Sequence, residues 1–473
     1  MPSRKLHVDQ KKPQIQRIQM ETNQRIDVAA VINDARFSPL QWRIFTLLFI
    51  IIVIDGYDTQ SIAFVAPAIS AQWKLAPSAF GPIFSAGLTG TVLGAVLFGM
   101  AADHFGRRRP IILSVALFGI LTWFCSIADT YTQLLVYRLL AGIGLGGALV
   151  NFLALASEYA PERLRNTAVT ISMWGFPLGA VVGGAFAGRM IEHFGWASIF
   201  HLGAVLPLLC VPLLMFLLPE SIRYATLSDR HRDGIARMLS RIDESRKYSA
   251  DQTFYVAEVS TSRGSFLALF RNGFGIHTVL LWFTLFSSLC VTYCLINWIP
   301  SLLKQIGMPL QLAVMGTAMI NFAAIVGSLF VVRIAKRHTL RRLAYAYLFG
   351  AFAIAGIGLS GSHTVPVMTC IFFTGFFMIG AQLAVTAYIT GFYPTSIRGT
   401  GVGWSQGVGR FGSLLGPLAG GFVLSVTAQP SQMFLLCAIP SVAAALALFL
   451  LAHISAREPA SSSSTLQAAP RQQ

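Results

Sequence analysis

Pro161-Glu162-Arg163-Leu164-Arg165-Asn166-Thr167, a short polar stretch between two apolar runs, returns in altered form as Pro394-Thr395-Ser396-Ile397-Arg398-Gly399-Thr400. Proline, arginine and threonine recur at one spacing, and the offset that superposes the two stretches also carries Arg108 and Arg109 onto Arg341 and Arg342. Two matches in register point to an internal duplication. What is duplicated follows from the runs around them.

Of 473 residues, 55% are apolar and 11% charged, with a mean hydropathy of +0.64. A water-soluble chain carries about 25% charged residues, so most of this surface is not built for water. Disorder, a collagen-like chain and a secreted disulfide scaffold are excluded as well. Twelve apolar segments are long enough, at about 20 residues each, to cross a bilayer. They begin near Ile44, Phe80, Ile111, Thr132, Thr167, Trp196, Phe274, Leu312, Leu343, Val365, Gly399 and Met433. The expected fold is an all-α membrane protein of twelve transmembrane helices in two six-helix bundles. Its parts are a cytoplasmic N-terminal tail (1–43), a first bundle (44–218), a cytoplasmic central loop (219–273), a second bundle (274–453) and a disordered cytoplasmic tail (454–473).

Orientation follows from the basic residues. With the N-terminus inside, 30 of the 35 Lys and Arg fall on the cytoplasmic side; Lys74, Arg189 and Lys304 lie outside, and Arg138 and Arg410 lie within spans. The same bias accounts for the net charge of +16 without nucleic acid, since the chain is charge-poor outside these clusters. The opening forty residues are polar and basic, with no short apolar core or cleavage site of a secretory signal. The six cysteines, Cys125, Cys210, Cys290, Cys294, Cys370 and Cys437, all fall in apolar stretches and read as packed thiols. Cys290 and Cys294 share a helical face, but two sulfurs alone do not make a metal site.

Gly99-Met100-Ala101-Ala102-Asp103-His104-Phe105-Gly106-Arg107-Arg108-Arg109 resembles the loop signature of the major facilitator superfamily, which joins its second and third spans. Arg138 with Gly142, Gly144 and Gly146 looks like that superfamily's fourth-span motif, and Pro219-Glu220-Ser221-Ile222-Arg223 like the one closing its sixth span. Asp55-Gly56-Tyr57-Asp58-Thr59 is narrower and resembles the DGxD core of the aromatic acid:proton symporter family. Similar to that family too are Glu158 through Thr167, Asn297-Trp298-Ile299-Pro300, and Arg398 to Gly401 followed by Arg410; the resemblance spans roughly Gln41 to His453. It implies the major facilitator fold and proton-coupled import of benzoate-like, hydroxybenzoate-like or phenylpropanoid acids across the inner membrane. His104 departs from the usual arginine, and the second-half copy, Arg333 to Thr339, lacks both Asp and Gly. The gating role the resemblance implies for this loop therefore attaches to the first half, to Gly99, Asp103, Gly106, Arg107 and Arg108.

A charged side chain at mid-bilayer costs about 2.5–3.5 kcal/mol, so each one asks for a reason. After Glu258 the next acidic residue is Glu458, so the second half brings no carboxylate to the membrane. Any proton carried on a carboxyl rides in the first half. Twelve residues beyond Arg43, at about 1.5 Å per residue, Asp55 lies near the midplane, and Asp58 is one turn on along the same face. Two crowded carboxyls in a poorly hydrated site are relieved when one takes a proton, which marks this pair for proton coupling. The alternatives are that one caps a break at Gly56 or pairs with an arginine for assembly.

Arg410 lies at similar depth in the opposite half, and a guanidinium holds a carboxylate by two parallel hydrogen bonds. It either grips the substrate or pairs with Asp55 or Asp58. For Arg138 the family pattern implies proton transfer or a closed gate; satisfaction by backbone carbonyls is the competing reading. Glu158, Asp103, Arg107, Arg165 and Arg398 cluster at cytoplasmic helix ends, where ion pairs can form in one gate state and break in the other. With the cytoplasmic side shut, Asp103 is expected to reach, through turns at Gly99 and Gly106, the N-terminal end of a neighbouring span. Capping and topology are the plainer reading of all five. An apolar slot with a few polar anchors suits an aromatic cargo, with Gln382 and Asn297 as anchors and Tyr293, Trp298, Trp174, Phe176 and Tyr388 as walls.

No phosphate-binding glycine loop, nucleophile elbow or HExxH motif occurs, and the central loop, with its mixed Arg and Asp, is too short for a catalytic domain. The chain reads as a transporter, not an enzyme, with no cofactor or metal, working as a monomer on a small aromatic carboxylate and protons. An organic anion exchanger of the same fold, or a symporter of a non-aromatic substrate, remains the alternative.

Overall fold

The structure, a computed structural model, describes residues 25–226, 232–256, 266–271, 273–334, 339–394, 396–427 and 429–457. Its twelve apolar helices are Pro39–Trp73, Pro77–Phe105, Arg108–Ser126, Tyr131–Tyr159, Glu162–Phe194, Ala197–Thr226, Phe274–Gln305, Leu310–Phe330, Leu340–Leu359, Thr364–Phe392, Arg398–Thr427 and Pro430–Ala456, taken below as the first to twelfth spans. Each starts within five residues of its expected position. Lys336, Arg337 and His338 of the second-half loop and residues 458–473 of the C-terminal tail lie outside the described residues.

The first span shows how local chemistry sets a boundary. Ser38 accepts from the Gln41 amide at 3.3 Å while the Gln41 side chain accepts from the Ser38 amide at 2.8 Å, and Pro39 fills the first helical position. This reciprocal cap starts the helix five residues ahead of Ile44. The helix then runs unbroken to Trp73, through Asp55, Gly56 and Asp58. The expectation that an aspartate caps a break at Gly56 is therefore wrong. Gly56 is a crossing point: a Cβ there would sit 1.9 Å from the carbonyl oxygen of Phe176 on the fifth span. The second and fourth spans close in the same way, with Gly94 set against Ile143 and Gly146 against Thr91.

Twelve spans return the chain to the face from which the first one starts, called here the terminal face. Toward the opposite, far face the two bundles meet along a seam that obeys the duplication. Gly188 on the fifth span packs on Gln311 of the eighth, and Gly421 on the eleventh packs on Ser78 at the start of the second. The offset carrying Pro161 to Pro394 turns each contact into the other. Ser85 donates to the Leu414 carbonyl at 2.8 Å, and the Phe84 ring stands edge-on to Trp298 at 5.2 Å.

Under the terminal face of the first bundle, the segment Arg25–Asp27 pairs as a parallel strand with Thr253–Tyr255 of the central loop, Ile26 opposite Phe254. The helices Val28–Asp34 and Arg232–Ile242 flank the pair, and Ile26, Val28, Ile32, Ile235, Leu239 and Phe254 bury against the bundle. The central loop is thus partly helical, and its apolar face is covered by the N-terminal segment.

Candidate transport site

The first span places both carboxyls in the core: Asp55 is 5% exposed and Asp58 fully buried. Their surroundings differ. Asp58 Oδ2 meets Arg138 Nη1 at 3.3 Å, its carbonyl accepts from Arg138 Nη2 at 3.2 Å, and its Oδ1 accepts from the Thr122 hydroxyl at 3.0 Å. Arg138 is also buried; its guanidinium lies 5.9 Å from the Phe200 ring centroid, and Nε has no partner. Three spans, the first, third and fourth, therefore converge on one carboxylate. Among the described residues the Asp55 carboxyl accepts only from Thr59, at 3.2 Å, one turn along its own helix. It lies within reach of the charges of Asp58 and of Arg410 in the opposite half.

Arg410 is half-buried and forms no ion pair with a described residue, so the pairing with Asp58 considered from the sequence is taken instead by Arg138. Gln382 and Tyr293 are half-buried, and the Gln382 side-chain oxygen Oε1 accepts from the Thr292 hydroxyl at 3.0 Å. Asn297, 5% exposed, donates to the Tyr293 carbonyl at 2.7 Å. Trp298 is fully buried near the seam, its indole N–H donated to Pro417 at 3.0 Å. Tyr388 stacks on Phe392 at 6.1 Å, and Trp174 and Phe176 are half-buried where the fifth span crosses the first.

At the terminal face the expected gating residues divide. Arg107 Nε donates to Glu158 Oε1 at 2.7 Å, and Glu158 Oε2 accepts from Ser221 at 2.6 Å. Glu220 Oε1 takes the backbone amides of Arg107, Arg108 and Ser221 at 2.7, 3.0 and 2.8 Å. A carboxylate at the start of the third span satisfies amides that a helix leaves without partners. Gly106 fits there for two reasons: its φ is +79°, and a Cβ would lie 2.6 Å from the Glu220 carboxyl. Arg108 donates to the Met215 carbonyl, Tyr159 to that of Glu220 at 2.7 Å, and Gln41 to that of Tyr159 at 2.7 Å. The web ties the first, third, fourth and sixth spans together.

Asp103 stands outside that web, exposed and without a partner among the described residues. Gly99 makes no turn, since it lies inside the second-span helix with open space beside it, and the amides that open the third span are filled by Glu220. Arg165 has its Nε buried without a partner, and Arg398 Nε donates to the Tyr393 carbonyl at 3.3 Å within the second bundle. Sequence reasoning quoted Glu220 and Ser221 only as part of a signature and missed Thr122, Gln60 and Asn321. An amide or hydroxyl inside an apolar run, the signal used for Gln382 and Asn297, was available for all three. Among the described residues no group of three His, Cys, Asp or Glu side chains is placed to hold a metal. Cys294 faces Cys437 rather than Cys290, with the sulfurs 3.5 Å apart.

Two six-helix bundles related by duplication, with buried charges near their meeting line, define a multi-pass membrane transporter of the major facilitator type. The Major Facilitator Superfamily model matches residues 48–364 and 315–472, and the chain belongs to that superfamily, in its aromatic acid transporter family. It is 36% identical over 434 residues to a gallate transporter of Pseudomonas putida, covering 91% of this chain and 96% of that one. A 4-hydroxybenzoate transporter, PcaK, of Acinetobacter baylyi is 35% identical over 440 residues, again 91% and 96%. Among solved structures, the inward-open xylose transporter XylE of E. coli matches the fold at 16% identity with a TM-score of 0.65, over 86% of this chain and 95% of that one. A bacterial homologue of the human lysosomal transporter Spinster does so at 18% and 0.69, over 89% and 99%.

Proposed function

We propose that this protein imports an aromatic carboxylate with protons across the inner membrane by alternating access, both termini in the cytoplasm, each monomer carrying its own path. The bundles 44–218 and 274–453 are the rocking bodies. The observation that carries this reading is the asymmetric pair of charges between them, Asp55 on the first span and, on the eleventh, Arg410, which makes no ion pair among the described residues. Relatives named for gallate and 4-hydroxybenzoate support an aromatic acid as cargo.

Arg410 grips the cargo carboxylate by two parallel hydrogen bonds, with Gln382, Asn297 and Tyr293 as further contacts. Protonating Asp58 would break its ion pair with Arg138, whereas protonating Asp55 breaks none, so Asp55 is the coupling carboxyl and Asp58 the anchor. With the basic loops inside, a seam closed toward the far face is the inward-facing state.

Uptake of labelled benzoate and hydroxybenzoates should rise as external pH falls and collapse with a protonophore. Asp55→Asn should still exchange cargo but not accumulate it; accumulation against a gradient by Asp55→Asn would sink the coupling assignment. Arg410→Lys keeps the charge and loses the fork, so affinity should fall about tenfold, roughly 1.4 kcal/mol. Equal competition by benzoate and its amide would remove Arg410 from this role.

A further inference from the structure

Gln60 of the first span and Asn321 of the eighth face each other across the seam. Gln60 Nε2 donates to Asn321 Oδ1 at 3.3 Å, and Asn321 Nδ2 donates to Gln60 Oε1 at 3.1 Å. Turning either amide alone would set oxygen against oxygen and N–H against N–H, and turning both would set Asn321 Oδ1 against the Thr317 carbonyl, so the contacts fix both. The two are 1% and 3% exposed, and Asn321 Nδ2 is also held by the Thr317 carbonyl at 2.8 Å. Neither amide has an ionised neighbour in this pair, and each is satisfied because the other half of the molecule supplies the complement.

We propose that Gln60 and Asn321 form the latch of the far gate. This rests on the reading that the two bundles rock against each other. While the pair is made, the first and eighth spans are locked in one register; when the far side opens, water takes the place of each partner. Neutral amides suit that exchange, because water replaces an amide partner at little net cost, whereas parting a buried ion pair strands two charges. The Asp58–Arg138 pair lies within one bundle and does not have to part when the bundles separate. The Gln60–Asn321 pair does.

The test uses the full chain in intact cells, with Ser85→Cys as a reporter: Ser85 is buried at the seam and the change is nearly isosteric. A membrane-impermeant maleimide added outside should label this cysteine slowly. Adding Gln60→Ala or Asn321→Ala should raise the labelling rate on the order of tenfold, about 1.4 kcal/mol in the balance between closed and open. Both together should raise it no further than either alone, and the exchanged pair, Gln60→Asn with Asn321→Gln, should return it to slow. Unchanged rates at normal membrane levels, or single effects that add in the double variant, overturn the latch. Benzoate uptake by the Ser85→Cys parent separates the two ideas. Uptake with labelling indifferent to both substitutions leaves transport standing and removes the latch. Labelling that responds in a parent taking up no aromatic acid keeps the latch and removes the cargo assignment.

Discussion

The two bundles share a plan and differ in how they hold their buried polar groups. In the first, carboxyl groups hold the contacts: Asp58 on Arg138, Glu158 on Arg107, and Glu220 on the amides that open the third span. In the second, hydroxyls stand in comparable roles, with Tyr347 donating to Ser288 at 2.8 Å and Tyr393 to Thr278 at 3.2 Å. Without a carboxylate between Glu258 and Glu458, the second bundle has no means of neutralising Arg410 internally. Duplicated architecture thus carries divided chemistry: one bundle pairs Asp58 and Glu158 with arginines of its own, and the other holds Arg410 in a stretch that has no carboxylate.

That contrast is open to attack by substitution. The largest effect should come from Asp58→Asn, which strands Arg138 in the core at a cost of about 3–5 kcal/mol. Membrane levels and the thermal midpoint of the purified protein should both fall, and Asp58→Asn combined with Arg138→Leu should recover the midpoint without recovering transport. A midpoint left untouched by Asp58→Asn would mean the pair is not what holds the first bundle. Glu220→Gln should cost less, about 1.5–3 kcal/mol, since it removes charge from hydrogen bonds to backbone amides while keeping an acceptor. Its signature is faster hydrogen exchange at the start of the third span; exchange confined elsewhere would count against the cap. In the second bundle Tyr347→Phe should cost only about 1 kcal/mol, and a loss as large as that of Asp58→Asn would erase the contrast. Arg341→Ala and Arg342→Ala should stay within about 0.5 kcal/mol and leave uptake intact, because that loop has lost the signature Asp and Gly.

Much of this was legible in the sequence, for physical reasons. A span is announced by its length of apolar residues, which no tertiary contact is needed to define, and Asp55, Asp58, Arg138 and Arg410 stand out because charge in hydrocarbon is costly. What one chain cannot reveal is rotation of one helix against another. Whether Asp58 meets Arg138 or Arg410 depends on which faces the first and fourth spans turn inward, and Gly56 looked like a break because a glycine in an apolar run signals close packing and helix interruption alike. That the amides opening the third span belong to Glu220 is hidden for the same reason, because Glu220 comes from a distant part of the sequence.

The parallel pairing of Arg25–Asp27 with Thr253–Tyr255 bears on how the protein is made. The first strand leaves the ribosome before any span does, and its partner follows only after all six helices of the first bundle. At about 5–20 residues per second the earlier strand waits roughly ten to fifty seconds for the later one. Throughout that interval Ile26, Val28 and Ile32 have no partners from the central loop, and the pairing becomes available only after the whole first bundle has been synthesised and before Phe274 begins the second. The strand pair therefore closes over a finished bundle, and a chain stalled within its sixth span would display those apolar residues to the quality-control machinery of the cell.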